Sequence, residues 1–241
     1  MNYKETAIKI LTECSRLLIG VVFIFSGFVK AVDPMGGAIK IGDYLTSFGL
    51  DMLQPFTVLA SLALSAAEFA MGVCMLLGVY RRYNSFLVLL FMAFMTPLTL
   101  YLAIFNPVSD CGCFGDAVVI TNWETFFKNL VLSAAAIMVF MNCGKMFQCF
   151  TYKVYWFVAL FSYFFCIGFA YWNYNHLPVM DFRPYKIGAN IPSLMAIPDG
   201  APEDEYKYTF VYEKDGVQKE FSLENYPQND SAWTFVESKT E

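Results

Sequence analysis

The segment Asp110-Cys111-Gly112-Cys113-Phe114-Gly115-Asp116 sets two thiols one residue apart among flexible glycines. Thiols at this spacing support three chemistries. They can cycle between dithiol and disulfide: the bridge closes a very small ring, Gly112 supplies backbone freedom, and a bridge constrained in this way exchanges readily. They can instead pack in a turn or form an inert bridge. They can also hold a metal with Asp110 and the single histidine, His176, although structural zinc prefers two to four residues between paired cysteines. Asp110 and Asp116 oppose thiolate formation, so exchange needs a cation from elsewhere in the fold. Thr121-x-x-Glu124 reads as a capping box opening a helix whose positive end faces this loop, which supplies part of that compensation. Of the other cysteines, Cys14, Cys143 and Cys149 lie toward the opposite side and Cys74 in an apolar stretch. Cys166, in the last apolar stretch, is the one placed to reach the loop. As single cysteines, all five read as small apolar residues.

Ionisable residues inside apolar stretches are the second signal, because a charge at mid-bilayer is costly and is kept for function or pairing. Glu68 stands in the middle of the second stretch, and Lys30 near the end of the first. Glu68 reads either as a helix-pairing group or as one that handles protons or touches a ligand. Lys30 can snorkel to the interface with Asp33 as its partner. Ser26-Gly27 and Ser65-Ala66-Ala67 form small faces suited to close helix packing. Pro97 predicts a kink in the third stretch, one that could open a cavity toward the cysteine loop. His176 reads as a solvated loop residue.

The elements that must position these groups are membrane helices. Hydrophobic residues make up 57% of the chain and charged residues 15%, against roughly a quarter charged in a soluble domain. Apolar stretches at 17–32, 56–80, 86–105, 126–141 and 154–172 are of the length a helix needs to pair its backbone within lipid. The first could be a secretory signal, but Lys30 occupies the place of small cleavage-site residues, so it is read as a retained helix. Lys4, Lys9, Arg16, Arg81, Arg82, Lys145 and Lys153 fall on one side of these spans, and the 106–124 loop has neither Lys nor Arg. That bias predicts a cytoplasmic amino terminus, with the cysteine loop and the tail outside. The net charge of −5, with no clustered basic face, excludes a nucleic-acid partner. Beyond Trp172 a proline-punctuated lead-in precedes a predicted β-hairpin, 206–213 and 217–223, about the turn Asp215-Gly216. The expected fold is therefore an all-α membrane protein: a four-helix bundle over 1–142, a fifth span over 143–173 and a hairpin-containing tail over 174–241.

Arg16 through Ser26-Gly27-Phe28-Val29-Lys30 to Asp33-Pro34, the mid-span Glu68 and the loop Cys111-Gly112-Cys113-Phe114-Gly115 together resemble the DoxX family, close to its MauE-like branch. The resemblance spans roughly residues 10–142. It implies a four-helix membrane bundle similar to the quinone-linked disulfide enzymes of the vitamin K epoxide reductase and DsbB type, in a bacterial inner membrane. On that likeness Cys111 and Cys113 are the redox pair, with Glu68 and Lys30 beside a bound quinone. The electron donor is then an exported thiol protein or a small sulfur compound. Two departures stand out: the fifth span and tail exceed the minimal bundle, although a longer DoxX-like subgroup has a similar arrangement, and no second outer cysteine pair is evident. A non-catalytic assembly protein whose tail binds a periplasmic partner is the competing reading, and a small-molecule transporter a third. The oligomeric state is not legible in the sequence.

Overall fold

The computed structural model describes residues 3–106, 108, 111–183, 186, 188–195, 208–214, 217–222 and 233–240. The chain divides into two compact units, Met1–Ala189 and Asn190–Glu241. The first contains α1 (Tyr3–Val32), α2 (Pro34–Ser47), α3 (Thr57–Leu77), α4 (Arg81–Phe105), α5 (Asn122–Met141) and α6 (Tyr155–Asn175), joined by short 3-10 turns. Five segments are long and apolar enough to cross a membrane: Tyr3–Val32, Asp51–Leu77, Arg81–Phe105, Asn122–Met141 and Tyr152–Asn175. Outward-facing Phe157, Phe161, Phe164 and Phe165 are exposed along α6, as an apolar solvent requires.

α1 begins well before the apolar stretch that marks it in the sequence. Thr12, Ser15 and Arg16 form a buried polar face ahead of that stretch, and the helix runs on to Tyr3 with its first turns exposed or half-buried. Arg16 is not an interfacial charge. It donates to the carbonyls of Met75 (3.1 Å) and Leu76 and to Glu13 (2.7 Å), satisfying acceptors that the end of α3 leaves open. Glu13 in turn accepts from the Phe147 backbone at 2.7 Å. This end of the bundle is clasped by polar contacts, while Ile19, Phe23, Met75, Val88, Met92, Leu132 and Val139 fill the centre.

The segment between the first two spans, read in the sequence as a loop, contains α2. Asp33 caps it, accepting from the Gly36 backbone at 2.9 Å, with Pro34 in the first turn. Fourteen residues with three glycines are too short and too mixed to announce a span.

α1 and α3 approach to backbone contact. A Cβ at Gly27 would lie 2.5 Å from the Phe69 nitrogen, and one at Gly72 would lie 2.6 Å from the Ile24 nitrogen. Small residues allow this approach in lipid, where packing itself drives association. α6 lies against α1 and α3 through Ala31, Ala66, Cys166 and Ala170. Between α4 and α5 the side chains of Thr96 and Ser133 (2.7 Å) and of Thr99 and Asn129 (3.3 Å) are hydrogen-bonded. α4 continues through Pro97 to Phe105.

The second unit holds the short helix α7 (Ile191–Met195) and an antiparallel sheet of β1 (Tyr208–Lys214), β2 (Val217–Ser222) and β3 (Thr234–Thr240), in the order β2-β1-β3. β1 and β2 pair in the hairpin register, Lys214 opposite Val217 and Thr209 opposite Ser222. The expected turn residues, Asp215 and Gly216, lie outside the described residues. β3, not anticipated in the sequence, adds to the free edge of β1 with a bulge between Val211 and Tyr212. Tyr212 meets Phe221 and Phe235 edge-on, and Phe221 meets Trp233, in a half-buried aromatic cluster on the sheet.

Candidate functional site

The cysteine loop begins where Asn106 ends α4 in a left-handed conformation. Asn122 holds the loop ends together, donating to Asn106 Oδ1 at 2.8 Å and to the Val108 carbonyl at 2.9 Å. The predicted capping box starts α5 here: Glu124 accepts from the Thr121 backbone at 2.9 Å, and Thr121 Oγ1 accepts from the Glu124 backbone at 3.3 Å. Gly112 (φ +62°) and Gly115 (φ +52°) close a tight turn in which the Gly115 N–H donates to the Gly112 carbonyl at 3.1 Å. Both need the left-handed region that glycine adopts freely. The turn drives Phe114 inward, edge-on to Phe25 at 5.4 Å and beneath the Lys128 ammonium at 4.0 Å.

Cys111 and Cys113 are free thiols with their sulfurs 2.8 Å apart, each only 7% exposed. Tyr44 of α2 donates to the Cys111 carbonyl at 2.5 Å. Ser26 of α1 lies within donating reach of both the Cys113 carbonyl (2.8 Å) and Glu68 Oε2 (2.6 Å). Its single proton serves one of them at a time. Lys30 donates to both Glu68 oxygens, at 2.7 and 2.8 Å, and lies 3.3 Å from the Ser26 hydroxyl. The backbone of the cysteine turn is therefore tied through one hydroxyl to a buried ion pair between α1 and α3.

Three sequence expectations change here. Lys30 pairs with Glu68 of the neighbouring helix rather than with Asp33, whose carboxylate is committed to the α2 cap. Ser26, read as a packing residue, is the hydrogen-bonded link, whereas Gly27 beside it does serve close packing. Cys166 does not reach the loop; it packs with Ala31, Ala66 and Ala170. His176 stacks on Trp172 at 4.1 Å and bonds the Trp172 carbonyl. Asp110 lies outside the described residues, and among those described no three His, Cys, Asp or Glu side chains converge as a metal site.

Lys128 and Tyr44 escape notice in the sequence. Lys128 stands inside the fourth apolar stretch, so the rule that singles out Glu68 applies equally to it. Tyr44 carries no such signal, because α2 itself is not evident. Lys128 joins Ser26, Lys30, Glu68 and Cys113 around a small cleft of about 30 Å³. These cations answer the electrostatic problem posed by Asp110 and Asp116. The Cys113 thiol is lowered to about 6, first by the hydrogen bond from Cys111 and then by Lys128 and Lys30, against the opposing effect of burial. Cys111 moves upward, because its proton is held in the bond to Cys113 and because it is buried.

A larger cavity of about 440 Å³ adjoins the pair. It is lined by Ile41, Tyr44 and Leu45 of α2, Leu64 of α3, Phe91, Phe94 and Leu98 of α4, and by Lys30, Lys40, Cys111 and Cys113. Phe48, Leu50 and Phe94 on its wall are exposed on the bundle surface.

Five apolar helices around a buried Lys–Glu pair, with a thiol pair folded onto one end, define a multi-pass membrane protein with a polar site under a loop. The family model described as methylamine utilisation protein MauE matches residues 8–142, more than half of the chain, and the chain belongs to that family. The matched segment contains Ser26, Lys30, Glu68, Cys111, Cys113 and Lys128. A second model, described as a domain of unknown function (DUF8463), matches residues 206–241. Neither a curated protein nor a solved structure matches the chain.

Proposed function

We propose that the protein is a thiol–disulfide oxidoreductase of the DoxX-like type in a bacterial inner membrane, with its amino terminus cytoplasmic and its cysteine loop and tail periplasmic. The observation that carries this reading is the placement of Cys111 and Cys113: sulfurs 2.8 Å apart, beside two lysines, on the wall of an apolar cavity. An inert turn needs neither the cations nor the cavity.

In the oxidised protein the Cys111–Cys113 bridge takes two electrons from a donor dithiol, which becomes a disulfide and gives up two protons; one stays on the Cys111 thiol, Cys113 is left as a thiolate, and the second proton is released into the site. The donor is an exported thiol protein or a small sulfur compound. Re-forming the bridge breaks the Cys111 S–H bond, forms one S–S bond and releases two electrons to a hydrophobic acceptor, which takes up the Cys111 proton and the second proton that reduction left in the site.

A quinone fits the residues present. The cavity volume falls within the range of about 300–1,000 Å³ usual for small-molecule sites, with apolar walls and few polar groups. Phe91, Phe94, Leu64 and Leu98 would hold a ring, and Lys30 and Tyr44 would face its oxygens. A bound quinone supplies a sink for two electrons and two protons. Cys113, as a thiolate, is the member of the pair ready to attack.

The test is to trap free thiols in native membranes with a mass-shifting alkylator, before and after adding a short-chain quinone analogue. Partly reduced Cys111 and Cys113 that become a disulfide on quinone addition are the expected result. A pair that stays fully oxidised or fully reduced whatever is added overturns the proposal.

A second reading rests on the tail, which has its own sheet and its own family model. In it the protein is an assembly factor and the tail binds a periplasmic partner. Deleting residues 174–241 separates the two: retained thiol cycling favours the oxidoreductase, and loss of function with cycling thiols intact favours the assembly role.

A further inference from the structure

Lys30 occupies a singular place among the polar groups of the bundle. It lines the small cleft that holds Cys113 and Lys128, a second small space beside Gly112 and Asp116, and the large apolar cavity. Glu68 lines only the first of these. Lys30 thus borders both the thiol pair and the space where an acceptor would gain protons. Its ammonium is held by two bonds to Glu68 and by the nearby Ser26 hydroxyl. Arginine, which keeps its protons, would serve as well if charge neutralisation were the only requirement.

We infer that Lys30 is the proton donor to the acceptor, with Glu68 and Ser26 as positioning residues. The inference rests on the redox reading above. As the bridge forms, the Lys30 ammonium delivers one proton into the cavity; Cys113, already a thiolate, has none to return, so Lys30 is left as the amine. The Cys111 proton passes to the acceptor directly, since Cys111 lines the same cavity. Two electrons leave the pair, with one proton from Cys111 and one from Lys30, and the Lys30 amine regains its proton from the donor dithiol, which gives up two, when the bridge is next reduced. The charged or titratable groups that share these spaces with Lys30 are Glu68 on α3, Asp33 at the start of α2, Lys40 and Tyr44 on α2, Lys128 on α5, and Cys111, Cys113 and Asp116 in the loop. Of these, only the two thiols change covalent state.

The test uses the full-length protein with two variants. Lys30→Arg keeps the charge but not the labile proton. The double variant Lys30→Met with Glu68→Met removes the pair without leaving either charge alone, a change buried pairs tolerate. With a short-chain ubiquinone analogue, both variants should oxidise the thiol pair roughly 100-fold more slowly than the wild type, the usual loss when a general acid is removed. KM should change little, and the thermal melt should be retained.

A second readout needs no turnover. 4-Nitrophenol, whose colour reports ionisation of its hydroxyl, is bound to the oxidised protein. The wild type and Lys30→Arg should hold it as phenolate at a pH where the double variant holds it as phenol. If either folded variant oxidises its thiols at the wild-type rate, or the dye ionises equally in the wild type and the double variant, the inference is overturned. If the wild-type pair is not oxidised by the quinone analogue, the redox reading fails first and takes this inference with it.

Discussion

At the scale of single residues, the site couples a reactive sulfur to buried charge. The Cys113 thiol sits near 6 because Cys111 donates to it and Lys128 and Lys30 stand nearby. In the reduced protein, its alkylation should therefore quicken as the pH rises through about 6 and fade below that, the reverse of a group held protonated. Lys128→Met should move this midpoint upward, and mass spectrometry of the two modified cysteines over a pH series reads it. Lys30 and Glu68, 8% and 3% exposed, depend on one another. Glu68→Ala alone leaves a buried ammonium unpaired and should cost about 3–5 kcal/mol, while replacing both residues with methionine should cost far less. Thermal unfolding in detergent distinguishes the two outcomes.

At the scale of elements, glycines and caps decide what the side chains can reach. Gly27 lets α1 lie against the backbone of α3, and any larger residue there must push the helices apart. Gly27→Val should therefore destabilise the bundle by several kcal/mol, about 1–3 from overpacking and more from parting Lys30 from Glu68. The check is a lowered melting temperature together with faster alkylation of both loop cysteines. At Gly112 the backbone is left-handed, and an added Cβ would lie 3.1 Å from the Lys40 side chain. Gly112→Ala should cost about 1–2 kcal/mol from the backbone alone and loosen the turn that pairs the thiols. A rise in the alkylation rate of both cysteines, with the rest of the bundle unchanged, would show it.

At the scale of the whole molecule, the two units pack separately: a buried apolar core among the helices, and a half-buried aromatic cluster of Tyr212, Phe221 and Trp233 in the sheet. Each should hold its structure without the other. Truncation before Asn190 is expected to leave the thermal melt of the membrane unit and the redox state of Cys111 and Cys113 unchanged, as read by thiol trapping. A fall in melting temperature would show that the bundle draws stability from the tail.

The sequence by itself determined the five spans, the α5 capping box, the β1–β2 hairpin and the thiol pair. Each of these is local: a helix in lipid must satisfy its own backbone, a cap spans four residues, and a tight hairpin is written in its alternation. It determined less of the site. That Lys30 would choose Glu68 over the nearer Asp33 depends on the rotation of α1 against α3, which the contacts of Gly27 and Gly72 set. Tyr44 arrives on a helix too short to read as a span, and Lys128 from a helix nearly a hundred residues after Lys30. β3 joins β1 rather than its neighbour in the chain. Only the tertiary structure decided these, because a contact between distant residues depends on how whole elements pack, and no local pattern of side chains encodes that geometry.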